Sequence, residues 1–221
     1  MSLEQSLIKQ GSFLFKYRGQ FPVILFLLSI PFIYFTSFSQ LDHNLILIDD
    51  AAHACGASYK NKKIGSIGDL TCFSFHPVKN LAMPTGGLIS INSKDHKKLS
   101  NILKEKRWCG ITNRKGADYD VKAIGWNYYM NEFSAAIGLV QLKKLDNMNN
   151  KRKKIAEKYS NEILLENKMS FDKGCSYHFY WIRVKNREQF REKLLKKGIE
   201  TGIHYKPIHN FSLYKSKIKL P

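Results

Sequence analysis

The stretch LILIDDAAHACGASYKNKKIGSIGDLTCFSFHPVKN (45–80) decides the fold. LILID (45–49) is a short apolar run that ends in acids, the pattern of a buried parallel-type strand with Asp49 and Asp50 at its carboxyl end. Small residues follow, and then a Gly/Lys-rich turn region up to Asp69. LTCFSF (70–75) reads as a second strand, HPVKN (76–80) as a loop, and GGLISIN (86–92) as a third strand.

Outward from this segment, 94–107 has a helical pattern with Ser93 as its expected N-cap. A longer helical pattern covers 131–165. Asn131 is placed to cap it, and Phe133, Ile137, Val140, Leu142 and Leu145 supply an apolar stripe. The polar run NMNNKRKK (147–154) is expected to bend or break that helix. YHFYWIRV (177–184) reads as a strand, and REQFREKLLKKG (187–198) as a helix closed by Gly198. IETGIHY (199–205) reads as a last short strand. The order of elements predicts an α/β fold with a break near residue 150, between a larger and a smaller unit.

The composition supports a folded chain. Of 221 residues, 43% are apolar and 24% charged, which argues against disorder, collagen-like repeats and coiled coils. A formal net charge of +18 raises nucleic acid, a membrane surface or an anionic substrate as partners, but the lysines are spread from residue 60 to the end, which favours a solvated surface without a partner. No helix-turn-helix, zinc-finger or RNA-recognition signature accompanies it, so a nucleic-acid binder is not expected. Cys55, Cys72, Cys109 and Cys175 form no CxxC pair and no Cys/His cluster of metal spacing, so no metal site is expected and a reducing cytoplasm fits.

Residues 21–38, FPVILFLLSIPFIYFTSF, carry no charge and just reach the length of a membrane span. Pro22 and Pro31 interrupt the run, and no signal-peptide cleavage pattern follows. Three readings stay open: a membrane anchor, a buried apolar segment, and a stretch of altered reading frame joined to the domain.

Chemistry concentrates around Asp50 and Lys79. A lysine in a loop at the end of buried strands is partly desolvated, which lowers its pKa and leaves an amine able to condense with an aldehyde. Pyridoxal phosphate is the best-known cofactor of this kind; it needs a carboxylate against its ring nitrogen and donors for its phosphate. Asp50 can supply the first, and Ser74 part of the second.

Five ordered motifs carry a resemblance that runs from about residue 44 to about residue 214. They are DDAAHA (49–54), GSIGD (65–69), FSFHPVKN (73–80), GWNYYM (125–130) and AAIGLVQL (135–142). The closing SYHFYWIRV and KKGIETGIHYKPIH fit the same pattern. The chain resembles the DegT/DnrJ/StrS family of sugar aminotransferases, pyridoxal-phosphate enzymes of fold type I. The resemblance implies transfer of an amino group, with glutamate as donor, onto a keto-sugar carried by a nucleoside diphosphate, in amino-sugar and polysaccharide biosynthesis.

By position, the resemblance makes Lys79 the cofactor-linked lysine and acid/base, and Asp50 the carboxylate facing the ring nitrogen. It makes His53 a ring contact, Ser74 a phosphate ligand, and Asn127 the residue that reaches the phosphate of a neighbouring subunit in a homodimer. His204 and Tyr205 fall where sugar-nucleotide contacts lie. The sequence departs from the family pattern at AMPTGG (82–87), which lacks the usual Glu, and at Tyr129, where Arg is common. Some relatives carry His in place of the lysine and dehydrate their substrate; Lys79 favours transamination.

The family begins well upstream of the Asp50 segment and continues beyond IKLP. The chain is therefore expected to be an interior piece truncated at both ends. Residues 1–43 are expected to be a non-family hydrophobic segment, 44–150 a partial large domain with a mostly parallel sheet and flanking helices, and 151–221 a truncated α+β small domain. The alternative is an inactive fragment, or half of a split enzyme. Exposed sheet edges predict marginal stability for such a piece.

Overall fold

The computed structural model describes residues 23–27 and 46–214. The described residues form two compact units. The larger holds those up to Ile163 together with Ser170–Tyr180; the smaller holds Leu164–Met169 and those from Trp181 onward.

A four-stranded mixed sheet organises the larger unit. Its strands are β1 (Val23–Leu27), β2 (Ile46–Asp50), β5 (Leu70–Ser74) and β6 (Gly87–Ile91), in the order β1-β2-β5-β6. β2 runs parallel to β1 and β5, and β6 runs antiparallel to β5. The α/β expectation and the three central strands are thus observed, with one antiparallel edge. β1 falls inside the apolar segment 21–38; the remainder of that segment lies outside the described residues. Among the described residues no helix is long and apolar enough to cross a membrane.

Two hairpins interrupt the sheet. β3 (Ser58–Tyr59) and β4 (Lys62–Lys63) are joined through Lys60 and Asn61, both with positive φ, as a two-residue turn between right-twisted strands requires. β7 (Ile111–Lys115) and β8 (Asp118–Val121) follow the helix α1 (His96–Arg107). Asp95, not Ser93, is the N-cap of α1. The Ser93 hydroxyl lies two residues too early and instead accepts the Asp95 N–H at 3.4 Å.

The helix α2 (Glu132–Glu162) starts as predicted: the Asn131 side chain accepts the Ser134 N–H at 2.8 Å. It runs unbroken through 147–154, because Asn149 in that polar run faces inward and is hydrogen-bonded there. The predicted apolar stripe is not the buried face. Phe133, Ile137, Val140 and Leu142 are exposed, and of the five only Leu145 is buried. The buried residues are Ser134, Gly138, Leu145, Asn149 and Ala156. Small side chains let the helix axis approach the loop below it: a Cβ on Gly138 would sit 2.7 Å from the Met83 Sδ. Leu81, Met83 and Leu145 form one core cluster, with Cys55, Phe75 and Met130 around it. Ala51, Ala57 and Ile64 form another, which packs with Phe73.

The predicted strand 177–184 is absent. Tyr177 takes a positive φ, and Tyr180 is the last residue of the larger unit. Beyond it only a single bridge forms, Lys168 with Ile182, flanked by Met169 N–H to Trp181 O and Arg183 N–H to Asn167 O. In the smaller unit, α3 (Arg187–Leu195) stops three residues before the predicted end, and the turn after it closes at Gly198, which has a positive φ, with Ile199 N–H on Leu194 O. The predicted strand 199–205 is also absent. Ile199 is engaged in that cap, and Arg191 donates to both the Thr201 hydroxyl and the Thr201 carbonyl, so the segment pairs with a side chain instead of a neighbouring strand.

Candidate active site

The carboxyl end of β2 builds the first wall. Asp50 is half-buried, and its Oδ1 accepts the Ala52 N–H at 2.9 Å, which turns the chain sharply out of the strand. Ala51 N–H reaches Cys72 O, Ala54 N–H reaches Ala51 O, and Ala57 N–H reaches Ala54 O. Turns this tight, with Ala51 and Ala57 buried, explain the run of small residues in the motif.

Register then decides which groups share a face. Asp50 pairs with Cys72 across parallel strands, and Ser74 lies two residues further along β5, so Asp50, Cys72 and Ser74 lie on one side of the sheet. Asp49 pairs with Thr71 and takes the other side. Burial, and then the neighbouring Asp50 charge, push the Asp49 carboxyl up to about 6.

The loop after β5 carries Lys79. Phe75 N–H bonds Gly86 O and Met83 N–H bonds Phe75 O, which closes the loop at its base; Lys79 N–H bonds His76 O inside it. Lys79 is half-buried. Desolvation holds its ammonium below the usual lysine range, while the facing Asp50 carboxylate pulls the other way.

A chain of side-chain amides ties this loop to its surroundings. Asn80 Nδ2 donates to Asn149 Oδ1 and to Ser176 O, each at 2.8 Å, and Asn80 Oδ1 faces His178 Nδ1 at 3.2 Å. Asn149 Nδ2 donates to Cys55 O at 3.1 Å. The His178 ring stacks on His53, with centroids 4.3 Å apart and planes inclined by 22°. Ser176 Oγ donates to the His53 carbonyl at 3.2 Å. Asn80, Asn149, Ser176 and His178 were not singled out from the sequence. Asn80 and His178 stand inside recognised motifs, but nothing local marks Asn149, which reaches the site from a helix 69 residues later.

Asp50, His53, Ser74 and Lys79 therefore all belong to the β2 and β5 ends of the larger unit. Asn127 lies in the same unit on an exposed segment, bridged through its backbone to Trp108 and flanked by exposed Trp126 and Tyr128. His204 and Tyr205 belong to the smaller unit, where both are exposed and their rings meet edge to face at 5.0 Å.

The donor set suits an aromatic aldehyde bearing a ring nitrogen and a phosphate. The half-buried carboxylate can pair with a protonated ring nitrogen, the amine can condense with the aldehyde, and the hydroxyl at the strand end can donate to the phosphate. Pyridoxal phosphate has these three features. Among the described residues no cluster of three or more His, Cys, Asp or Glu is arranged to hold a metal ion.

Comparison with known proteins gives a consistent match. Residues 39–221 match the DegT/DnrJ/EryC1/StrS aminotransferase family. The UDP-4-amino-4,6-dideoxy-N-acetyl-beta-L-altrosamine transaminase of Campylobacter jejuni is 39% identical over 183 residues, covering 78% of this chain and 48% of that protein. Among solved structures, Helicobacter pylori PseC, an aminotransferase of pseudaminic acid biosynthesis, superimposes with a TM-score of 0.73 at 30% identity, covering 85% of this chain and 52% of that one. The PLP form of Spr1654 from Streptococcus pneumoniae gives a TM-score of 0.70 at 29% identity, covering 80% and 48%. The chain spans about half the length of the curated relatives it matches.

Proposed function

The chain belongs to the DegT/DnrJ/EryC1/StrS aminotransferase family, and from that premise we propose that it carries the catalytic lysine side of a pyridoxal-phosphate-dependent transaminase acting on a nucleotide-linked keto-sugar. The carrying observation is a half-buried amine, Lys79, held below the usual lysine range within the field of the Asp50 carboxylate. The name of the Campylobacter relative supports a nucleotide-sugar substrate, and glutamate is the proposed donor.

When bound, the cofactor supplies an electron sink that stabilises the carbanion formed at the substrate carbon. Asp50 keeps a protonated ring nitrogen charged, which maintains that sink. Lys79, whose partial burial favours the neutral amine, would take a proton at its Nζ from one carbon and return it to another. The Ser74 hydroxyl anchors the phosphate, and His53 orients the ring. We assign Asn127 to the phosphate of a second copy in a homodimer, and His204 and Tyr205 to the nucleotide-sugar. The part near 44–150 then supplies the cofactor groups, and 151–221 the small-domain contacts. Such an enzyme works in the cytoplasm, where nucleotide-sugars are made.

Incubating the full chain with pyridoxal phosphate, reducing with borohydride and mapping the labelled peptide tests this reading. Label on Lys79, lost in Lys79→Ala, is expected. Folded, soluble chain with no visible absorption band and no labelled lysine overturns it.

A further inference from the structure

The Asn80–Asn149–His178 chain has a direction that its two ends dictate. Ser176 O and Cys55 O are backbone carbonyls and can only accept. The Asn80 atom 2.8 Å from Ser176 O is therefore its NH₂ group, and the Asn149 atom 3.1 Å from Cys55 O is also NH₂. That orientation leaves Asn149 Oδ1 to accept from Asn80, as observed, and turns Asn80 Oδ1 towards His178. An amide oxygen cannot donate, so His178 must carry its proton on Nδ1. The tautomer follows from the network and not from a choice about the ring.

Two of its members are buried, while Asn80 and His178 are half-buried. Asn149 is 3% exposed and Ser176 1%. A buried amide that loses a partner costs about 1–3 kcal/mol, so the arrangement resists local opening. It also spans the site: it links the residue next to Lys79, the 51–57 turn that carries His53, the helix α2, and the 174–178 segment. The same imidazole stacks on His53.

We propose that His178 is a positioning residue for Lys79: its Nδ1–H, acting through the Asn80 amide, holds the lysine-bearing loop against the turn that follows Asp50. The role rests on the proposed function, in which Lys79 is the reacting amine, but the geometry can be tested without cofactor. Releasing the donor removes one of the three hydrogen bonds that the Asn80 amide makes, which loosens the 76–80 loop and brings the lysine amine nearer to ordinary solvation. Asp50 is the charged group that faces the amine in either state.

Two near-isosteric variants separate donor from ring. His178→Asn keeps an N–H near the Nδ1 position and removes the stack on His53. His178→Phe keeps a flat ring and removes the donor. The readout is the pH midpoint for acylation of Lys79 in the cofactor-free full chain, followed by peptide mass spectrometry, with exposed lysines as internal standards. In the unsubstituted chain the Lys79 midpoint should lie below those standards. His178→Phe should raise it towards those standards, and His178→Asn should restore it. Asn149→Leu cuts the chain from the helix side, leaves His178 in place, and should reproduce the His178→Phe shift even if that variant fails to fold.

An unchanged midpoint in His178→Phe or Asn149→Leu overturns the role. So does an equal shift in His178→Asn and His178→Phe, which would assign the effect to ring packing. Because pyridoxal phosphate takes no part, failure of the chain to bind cofactor refutes the proposed function and leaves this result standing. Cofactor bound with an unmoved Lys79 midpoint refutes the role of His178 alone.

Discussion

Leu47 and Asp69 hold each other by two hydrogen bonds: the Leu47 N–H donates to the Asp69 carboxylate at 2.9 Å, and the Asp69 N–H donates to the Leu47 carbonyl at 3.1 Å. Asp69 O also accepts the Asn92 N–H at 2.8 Å, so one residue joins the starts of β2 and β5 to the end of β6. The acid closing GSIGD is therefore a sheet clasp. A hydrogen bond to a charged partner is worth about 1.5–3 kcal/mol. Asp69→Ala should lower stability by about that amount in urea denaturation, and Asp69→Asn by less. Equal stability of Asp69→Ala and the parent chain would remove the clasp from the account.

Asp49 should make stability fall as pH rises. Its folded-state pKa is about 6, above the ordinary aspartate value of 3.8. Between these values the folded chain holds a proton that the unfolded chain has released, so stability declines through that window and levels off above it. Asp49→Asn removes the ionisation. Solvent screening leaves roughly 1 kcal/mol of the effect, so the variant should melt about 2–4 °C higher than the parent at pH 7.5. At pH 4 the two should coincide. A pH-independent difference between them would point to packing instead of charge.

Gly56 has a positive φ, and a Cβ there would run into Asn149 Nδ2. Gly56→Ala therefore strains the backbone and dislodges the amide that bonds Cys55 O. A loss of about 1–3 kcal/mol is expected, together with the rise in Lys79 midpoint expected for Asn149→Leu. Loss of stability with Lys79 unaffected would separate the turn from the amide chain.

Phe133 is 85% exposed at the start of α2, and Ile137 and Val140 continue the same apolar face. The proposed homodimer would bury this face against the second copy. Phe133→Asp should weaken self-association at least tenfold by sedimentation velocity, as removal of an aromatic anchor does. Its effect on unfolding of the monomer should stay within about 0.5 kcal/mol, because the ring is 85% exposed. A parent chain that stays monomeric at high micromolar concentration refutes the homodimer.

The strands β2, β5 and β6 and the start of α2 were legible in the sequence because their causes are local, whereas β1 lies in the apolar segment 21–38, which was not read as a strand. An apolar run ending in acids makes β2, and an Asn before a helical pattern makes a cap. The motif 45–80 also placed Asp50, Ser74 and Lys79 at strand ends, since register and strand length follow from residues a few positions apart. The elements that failed depended on distant partners. The segment 177–184 has strand composition, but Tyr177 turns the backbone away, and among the described residues its pairing is confined to the Lys168–Ile182 bridge and its two flanking hydrogen bonds. The segment 199–205 is captured by Arg191.

The sequence by itself determined the family, the α/β order and the chemical types at the site, because these lie in side-chain identity and short-range spacing. The tertiary structure alone decided which face of α2 is buried and which amides meet. Gly138 and Asn149 face inward because a bare backbone and a hydrogen-bonded amide fit against Met83 and Asn80, whereas Phe133 and Val140 stay exposed. Periodicity measures how apolar a face is. Burial also depends on whether that face can approach its neighbour, and that is settled by residues far away in the chain.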